Sequence, residues 1–380
     1  MGGALEGIKV IDLSRMLPGP YCSMIMADHG ARVIAIEDRR FMSDDLYIFP
    51  VNRNKDHMTL NLKTKEGHEI FFKLIKAADV LIEGFRPGVT KRLGIDYDAV
   101  KKANKKIIYC SITGYGQDGP YKDMAGHDVN YLSFAGILDT IGEKDGLPCI
   151  PGIQIADLAG GAMNAAIGIL LALYARGRTG KGQYIDISMT DGLVAMLPGP
   201  LDLFQKKGVI PERSNSLLSH RYACYNVYKT ADGRYISIGA LENRFWKNLC
   251  TVLGVPEYIE LQYDDTNRKK IIDAFRDIFK RKTLKQWKEE FTDKDVCWGE
   301  VKKLDEVFDD PLFLARDMVC NIKDSKGESV RALGIPVKLS DTPGSIRTAP
   351  VGFGESTGKI LYELGYSKED IEGFIEKGIV

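Results

Sequence analysis

Residues 8–37 read Ile8-Lys-Val-Ile-Asp-Leu13, Ser-Arg-Met-Leu17, Pro18-Gly-Pro-Tyr-Cys-Ser-Met-Ile-Met-Ala-Asp28, His-Gly-Ala31 and Arg32-Val-Ile-Ala-Ile-Glu37. The first and last segments are short apolar runs, which are typical of buried strands. The segment from Pro18 begins with proline and is followed by Gly30, as in a helix of about three turns. A helix between two apolar strands predicts a parallel strand pair.

The same alternation continues through the first half of the chain. Residues 66–77 have the spacing of an amphipathic helix, and residues 99–104 end a short one. Apolar runs at 79–82, 106–112 and 183–189 predict further strands. We therefore predict an α/β fold with a Rossmann-like, doubly wound parallel sheet in a large domain.

The second half of the chain changes character after residue 197. Residues 198–222 are rich in Pro, Gly and Ser, which predicts a linker. The runs 225–228 and 235–238 flank Thr230-Ala-Asp-Gly233, which predicts a hairpin, and charged helices follow at 268–282 and 284–291. We predict a large domain over 1–197, a small α+β domain over 223–330, and a return to the large domain over 331–380, where Ser367-Lys-Glu-Asp370 fits a helix capping box.

Charge and cysteine usage restrict the class of partner and the compartment. The 52 basic and 52 acidic side chains balance, so no basic excess indicates nucleic acid or a membrane surface as a partner. The seven cysteines are scattered without a C-x-x-C pair, and no signal-peptide pattern opens the sequence. We expect a cytoplasmic protein with buried free thiols, no disulfide framework and no metal site.

An uncharged run from Leu158 to Ala175 reaches the length of a membrane span. It contains several glycines and alanines and the polar Asn164, and it lies between Asp157 and Arg176. We therefore interpret it as a core helix that packs on all sides rather than as a membrane helix.

Gly114-Tyr-Gly-Gln-Asp-Gly119 matches the dinucleotide pattern G-x-G-x-x-G after a predicted strand. A dinucleotide site also needs a helix that starts here, which Pro120 could begin, and an acid about twenty residues on, which Asp139 could supply. The alternative is a glycine-rich turn with exposed backbone N–H groups, and we favour it.

Three other residues are candidates for chemistry, and each has a simpler explanation. His127, in Gly126-His-Asp128, could titrate near neutrality as an acid or base, or could be a surface histidine at a helix start. Asp157 is the lone charge at the mouth of the apolar helix, where it could be a base, a nucleophile or simply an N-cap. Glu242 follows a predicted strand and matters only if it faces a catalytic partner.

Several motifs in one order resemble those of the family III CoA-transferase and α-methylacyl-CoA racemase superfamily. They are Leu5–Leu13 with Pro18–Pro20, Asn52–Lys55 with Leu60–Lys63, Asp79–Gly88, Ser111–Pro120, Thr179–Gln183 and Gly354–Tyr366. This resemblance covers nearly the whole chain. It implies an acyl-CoA substrate, no separate cofactor, and an interlocked homodimer.

The resemblance also separates two activities within the superfamily. Gly126-His-Asp-Val-Asn-Tyr131 is similar to a racemase motif, and Gly239-Ala-Leu-Glu242 is similar to a racemase segment whose glutamate supports the histidine. Racemase chemistry then implies His127 and Asp157 as two bases on opposite faces of Cα, with Glu242 behind His127. The alternative is a CoA transferase in which the aspartate at 157 is a nucleophile, and the glycine-rich closing loop of oxalate-type transferases has no counterpart between Ser214 and Glu242.

The CoA-binding positions that the resemblance implies are Lys63, Arg86, Arg92, Asp128 and Tyr131. The chain departs from the family pattern where Asp38-Arg39-Arg40 follows Glu37 in place of a nearby proline, so either arginine could meet phosphate differently. Pro151–Ile155 is closer to transferase-like members. A third hypothesis is an acyl-CoA-binding subunit without activity, against which the intact His127, Asp157 and Glu242 argue.

Overall fold

A six-stranded parallel sheet organises the part of the chain that the structure describes, in the order β3-β2-β1-β4-β5-β6. The structure is a computed structural model that describes residues 2–42, 48–324 and 327–380. The strands are β1 (Lys9–Asp12), β2 (Arg32–Glu37), β3 (Lys55–Thr59), β4 (Val80–Glu83), β5 (Ile108–Thr113) and β6 (Tyr184–Ser188). The predicted fold class, an α/β chain with a parallel sheet, is confirmed.

Helices alternate with these strands and continue through the rest of the described chain. They are α1 (Pro18–Asp28), α2 (Lys65–Ala77), α3 (Val89–Arg92), α4 (Tyr97–Ala103), α5 (Asp128–Phe134), a π-helix (Ala156–Met163), α6 (Asn164–Thr179), α7 (Met189–Val194), α8 (Pro198–Lys207), α9 (Asn243–Leu253), α10 (Arg268–Phe279), α11 (Leu284–Phe291), α12 (Leu304–Phe308), α13 (Pro311–Ala315), α14 (Thr357–Glu363) and α15 (Lys368–Glu376). The capping box predicted at Ser367 forms, since its hydroxyl accepts the Asp370 N–H at 3.1 Å.

Apolar side chains fill both faces of the sheet, as the near-continuous apolar strands predict. On one face, α2, α4, α14 and α15 pack in a single core around residues such as Phe71, Leu74 and Leu361. On the other face lie α1, the π-helix and α6. The strand order reverses between β1 and β4, and a crevice at the carboxyl ends of the strands is where such sheets bind ligands.

Strand β3 was not predicted, because three of its five residues are Lys55, Asp56 and His57. Lys55 and His57 find polar partners on α1, β1 and β2. The Lys55 ammonium donates to the Pro20 carbonyl at 2.7 Å and lies 4.0 Å from the Asp12 carboxylate. Burial lowers the pKa of Lys55 to about 8, although the Asp12 charge opposes this. His57 Nδ1 lies 2.8 Å from the Glu37 carboxylate.

Residues Arg53 and Asn54 tie the sheet to the C-terminal part of the chain. The buried Arg53 guanidinium pairs with the Asp28 carboxylate at 2.6 Å. Asn54, at a φ of 60°, donates to the same carboxylate at 2.8 Å, and its side-chain oxygen accepts the N–H groups of Arg347 and Thr348. A small polar residue suits this left-handed backbone. The side chains of Arg53 and Asn54 therefore have a structural role, because they join α1 to the chain around Arg347 and Thr348.

By compactness the chain forms two units. One comprises Met1–Ile137, Pro151–Leu197 and Pro311–Val380, and the other comprises Leu138–Ile150 and Pro198–Asp310. The domain limits predicted at 197 and 331 stay a prediction. The stretch predicted as a linker contains α8, because prolines in the first turn of a helix remove only N–H groups that lack a helical partner.

The second unit contains a three-stranded antiparallel sheet within its described residues, with β7 (Tyr225–Lys229), β8 (Tyr235–Gly239) and β9 (Trp298–Glu300). Strands β7 and β8 form the predicted hairpin. Large aromatic side chains of α9, α10 and α11, such as Trp246, Phe275 and Trp287, fill the core behind this sheet. A further hairpin, β10 (Val319–Lys323) with β11 (Ser329–Leu333), belongs to the first unit.

The apolar run from Leu158 forms the π-helix and α6, and one side of this helix is exposed. Its exposed apolar residues are Met163, Ile167, Leu170, Leu171 and Tyr174. The expectation that this helix packs on all sides is therefore wrong for the single chain. Among described residues, Ala156–Thr179 is the one helix long and apolar enough to cross a membrane, and 39% of its most apolar window is buried. Its buried side packs on β5 and β6, as a core helix does.

The cysteines fit the expectation of buried free thiols in part. Cys22, Cys110, Cys224 and Cys250 are free and buried, whereas Cys149 is free and exposed. Burial raises the pKa of the Cys22 and Cys110 thiols well above the usual value. Such thiols stay protonated and unreactive at neutral pH.

Candidate active site

Asp157 is the second residue of the π-helix, and Ile155 is the N-cap residue of that helix. The N-cap interpretation of Asp157 is therefore wrong. The π-helix packs closely against α7, and glycine at residue 160 makes this approach possible. A Cβ on Gly160 would lie 2.5 Å from the Met189 carbonyl oxygen, so only glycine fits. π-Helical turns are rare and are frequent at functional sites.

Asp128, the first residue of α5, contacts the start of the π-helix. Its carboxylate accepts the Asp157 N–H at 3.1 Å and also the Ala156 N–H. These bonds satisfy two of the N–H groups that a helix start leaves without partners. Desolvation raises the pKa of Asp128, and the two N–H groups partly offset that rise.

This contact changes the chemistry of Asp157. Desolvation, with the Asp128 charge as a second cause, raises the pKa of the half-buried Asp157 carboxyl to about 6. The N–H groups at the Asp157 helix start are occupied by Asp128. The Asp128 N–H in the first turn of α5 is therefore the candidate donor to an oxyanion, because the first N–H groups of a helix have no partner within the helix.

His127 is the N-cap residue of α5 and is exposed. Two side chains of α5 fix the backbone around it. The Asn130 side-chain oxygen accepts the His127 N–H at 3.0 Å, and the Tyr131 hydroxyl donates to the Gly126 carbonyl at 2.5 Å. A Cβ on Gly126 would lie 2.7 Å from the Tyr131 ring, which explains why glycine precedes the histidine.

The structure thus brings four of the predicted residues together at the N-termini of two adjoining helices. Asp128 links His127, its chain neighbour, to Asp157. Tyr131 also belongs to this group. Desolvation and, after it, the Asp157 charge raise the pKa of Tyr131 to about 12, while the Arg86 charge opposes this rise. Arg86 itself is exposed in the turn after β4.

Glu242 lies in the second unit, as the exposed N-cap residue of α9. Its predicted pairing with His127 stays a prediction.

Lys63 and Arg92 line one depression on the first unit, together with Lys65 and His68. This depression is basic and suits a phosphate. Arg39 and Arg40 do not line this depression. Arg39 donates to the Val380 carbonyl at 2.9 Å, and Arg40 pairs with Asp38.

The sequence did not predict a second cleft, which the structure shows in the first unit. It lies at the carboxyl ends of β1 and β2, and its walls include Ser14, Arg15, Asp38 and Asn52. The Arg15 guanidinium lies 3.2 Å from the centre of the Phe41 ring. The loop after β1 borders the point where the strand order reverses, and that rule could have singled out Arg15.

Residues 114–119 form a turn, with Gly116 and Gly119 at positive φ, and no helix begins at Pro120 in this described segment. Gln117 N–H donates to the Asp186 carboxylate at 3.0 Å, which anchors the turn to β6. A dinucleotide site needs the helix, so the glycine-rich turn is the correct interpretation.

Known proteins resemble this chain over nearly its full length. The human α-methylacyl-CoA racemase is 35% identical, with 97% of this chain and 95% of that protein covered. The acetyl-CoA:oxalate CoA-transferase of Acetobacter aceti is 34% identical, with 92% of each covered. The human succinyl-CoA:glutarate CoA-transferase is 30% identical, with 99% of this chain and 90% of that protein covered.

Comparison with solved structures leads to the same family. A crystal structure of a CAIB/BAIF family protein from Brucella suis superposes with a TM-score of 0.85 at 30% identity, over 96% of this chain and 100% of that one. The sequence model described as CoA-transferase family III matches residues 5–357. The chain is therefore an enzyme of CoA-transferase family III, whose members include both racemases and CoA-transferases.

Proposed function

We propose that this enzyme is an α-methylacyl-CoA racemase that interconverts the R and S forms of 2-methylacyl-CoA thioesters. The observation that supports it most is the placement of an imidazole and a carboxyl, His127 and Asp157, at two helix starts that Asp128 joins. A racemase needs one base for each face of the substrate carbon. A CoA transferase needs only the carboxylate.

The chemistry follows from the weak acidity of the α-proton of a thioester. One base removes this proton, the electron pair moves onto the thioester oxygen to give an enolate, and the other base returns a proton to the opposite face of Cα. The Asp128 N–H, which as the first residue of α5 has no partner within the helix, would donate to the enolate oxygen as charge develops. Its position at the start of α5 adds the positive end of the helix dipole.

The electrostatics of Asp157 suit a base. A pKa of about 6 leaves the carboxyl mostly ionised at pH 7, yet makes it a stronger base than an ordinary aspartate. His127, exposed and ahead of the α5 N-terminus, would act on the other face. In the reverse direction each group has the opposite role, and Glu242 would orient and balance the imidazole.

The CoA moiety of the substrate provides the groups by which the enzyme binds it, and we infer that no separate cofactor or metal is needed. Arg86, whose charge lowers the pKa of Tyr131, would meet the part of CoA closest to the thioester. Lys63 and Arg92 line a basic depression that suits a more distant phosphate.

A direct test is NMR of one pure enantiomer of a 2-methylacyl-CoA with the enzyme in deuterated water, without an acceptor acid. The α-proton signal is expected to disappear while the sample loses its optical purity. The two losses should proceed at comparable rates, because each inversion takes a deuteron from solvent. A protein that leaves both the signal and the optical purity unchanged is not a racemase for that substrate.

The second candidate is a CoA transferase, which the relatives named as transferases support at similar identity. Asp157 would attack the thioester carbonyl and expel CoA as the thiolate. The thiolate would then attack the aspartyl carbonyl of the resulting anhydride, release the donor acid as a carboxylate and leave an aspartyl–CoA thioester. The acceptor carboxylate would take CoA from this thioester through the reverse steps, which regenerates Asp157. The same NMR sample distinguishes the two when succinate, acetate or oxalate is added. Transfer of CoA to the acid, without earlier proton exchange, favours the transferase. Acyl-CoA binding with neither reaction favours a binding subunit.

We also infer a homodimer, because the exposed apolar side of α6 is a surface that a globular chain would cover. Leu171, 64% exposed, and Ile167, 55% exposed, lie on that side. Sedimentation of the purified protein is expected to give about twice the chain mass of 42.3 kDa. A single-chain mass at micromolar concentration would contradict the dimer.

A further inference from the structure

The loop that carries Glu242 is fixed at its first end by β8. Gly239 N–H donates to the Cys297 carbonyl at 2.8 Å, and Ala240 N–H donates to the Cys224 carbonyl at 2.8 Å. The chain then leaves the sheet through Leu241, and α9 begins after Glu242. The Glu242 side chain is exposed. Its direction therefore depends on how the backbone of residues 240–242 is held.

Gln262 holds this backbone from the other side. Its side chain is buried, with 7% exposure. The amide nitrogen Nε2 donates to the Ala240 carbonyl at 3.1 Å and to the Leu241 carbonyl at 2.8 Å. The Tyr263 hydroxyl donates to the same Leu241 carbonyl. The last two carbonyls before Glu242 are thus tied by two neighbouring side chains.

The position of Gln262 is itself fixed by α9. Gln262 ends the short 3₁₀ helix Pro256–Leu261. Trp246, a fully buried residue of α9, donates its indole N–H to the Tyr258 carbonyl at 3.0 Å and to the Ile259 carbonyl at 3.1 Å. Helix α9 therefore holds the 3₁₀ helix, and the end of the 3₁₀ helix holds the start of α9. This closed arrangement leaves the backbone before Glu242 little freedom.

We propose that Gln262 is a positioning residue that fixes the direction of the Glu242 carboxylate. The inference rests on the proposed function, in which Glu242 supports His127. Burial raises the pKa of Tyr263, and the Cys224 and Glu242 charges add to this rise. A displacement of about 1 Å in a supporting group can lower a catalytic rate by about 100-fold.

The test compares Gln262→Met with Glu242→Gln and the double variant. Methionine has a similar length and cannot donate, so both carbonyls lose their bonds to residue 262. We expect kcat for racemisation to fall roughly 10- to 100-fold with little change in KM. In the Glu242→Gln background the same change is expected to cost less than about threefold, because the group it positions is already absent.

Two further variants separate positioning from general stability. Tyr263→Phe removes one of the donors to the Leu241 carbonyl and should give a smaller loss of kcat in the same direction. Trp287→Phe is the matched control, since it removes a buried hydrogen bond to the Phe279 carbonyl in the same unit without touching residues 240–242. It should lower Tm and leave kcat unchanged.

The outcomes distinguish the inference from the proposed function. If Glu242→Gln leaves racemisation unchanged, the role of Glu242 in the proposed function fails. If Glu242→Gln lowers racemisation but Gln262→Met does not, or if the two losses multiply in the double variant, Gln262 does not act through Glu242. If Gln262→Met does not fold, full kcat in Tyr263→Phe overturns the inference.

Discussion

Asp157→Asn is expected to lower kcat/KM for racemisation by about 100- to 10,000-fold, the usual range for loss of a general base. The amide keeps the size of the side chain and cannot take a proton. The Asp128 contact is made by the Asp157 backbone N–H, so the helix start should stay intact in the variant. A CoA transferase would lose its nucleophile through the same change.

The pH dependence of the native enzyme gives a second measure of the same group. The base must be ionised, and its pKa is raised to about 6 by burial and by Asp128. We therefore expect kcat/KM to fall as the pH decreases through about 6. A profile that stays flat down to pH 5 would exclude Asp157 as the base for that direction of the reaction.

The free energy of unfolding is expected to decrease as the pH rises through about 6, whereas kcat/KM increases over the same range. The folded-state pKa of Asp157, about 6, lies above the ordinary 3.8, so the protonated form is the one that the fold favours. This contribution is fully present below pH 3.8 and is lost as the pH rises through about 6. At pH 7 the partly exposed charge costs roughly 1–2 kcal/mol.

Asp157→Asn should therefore raise the free energy of unfolding at pH 7 by roughly 1–2 kcal/mol and leave it nearly unchanged near pH 3.5. Urea unfolding at both pH values measures this difference. Asp145→Asn, at an exposed position in the second unit, is the control and should change neither activity nor stability. Equal stabilisation at both pH values would mean that the charge of Asp157 is not the cause.

The fold was predictable because its signal is local. Pro18, Gly30 and the apolar runs on either side specify a helix between two strands, and the structure has α1 at Pro18–Asp28 and β2 at Arg32–Glu37, as predicted. Strand β3 was missed for a physical reason. Lys55 and His57 are polar, and they can be buried only because Pro20 and Glu37, distant in sequence, supply partners.

The candidate site was predictable in its residue types and not in its connections. Nothing in the sequence pairs the Asp128 carboxylate with a backbone N–H 29 positions away, and this bond explains why Asp157 is inside the helix rather than at its cap. Gln262 carried no signal either, because its importance comes from two carbonyls more than twenty residues earlier. Hydrogen bonds to backbone groups depend on tertiary packing, which composition and spacing do not reveal.

The second large effect is expected at His127. His127→Asn should lower racemisation by about 100- to 10,000-fold, while the backbone bond to Asn130 is retained because it uses the His127 N–H. His220→Asn is a matched control in the second unit. His220 is exposed and has a φ of 60°, a backbone conformation that asparagine tolerates, so this variant should keep full activity.

The two-base arrangement makes a sharper prediction than loss of rate. With His127 replaced, Asp157 can still remove the α-proton that faces it and return a deuteron to the same face. One enantiomer should then exchange its α-proton in deuterated water without inversion, and the other should not exchange. Asp157→Asn should give the mirror result, in which exchange survives only for the opposite enantiomer.

This asymmetry separates the two activities of the family, because a transferase has no use for a base at residue 127. A His127→Asn variant that transfers CoA to an acid at the native rate, with no proton exchange in either enantiomer, would assign the chemistry to Asp157 as a nucleophile. Exchange of both enantiomers in that variant would require a second base other than His127. Only exchange confined to one enantiomer fits the pair of helix starts that Asp128 holds together.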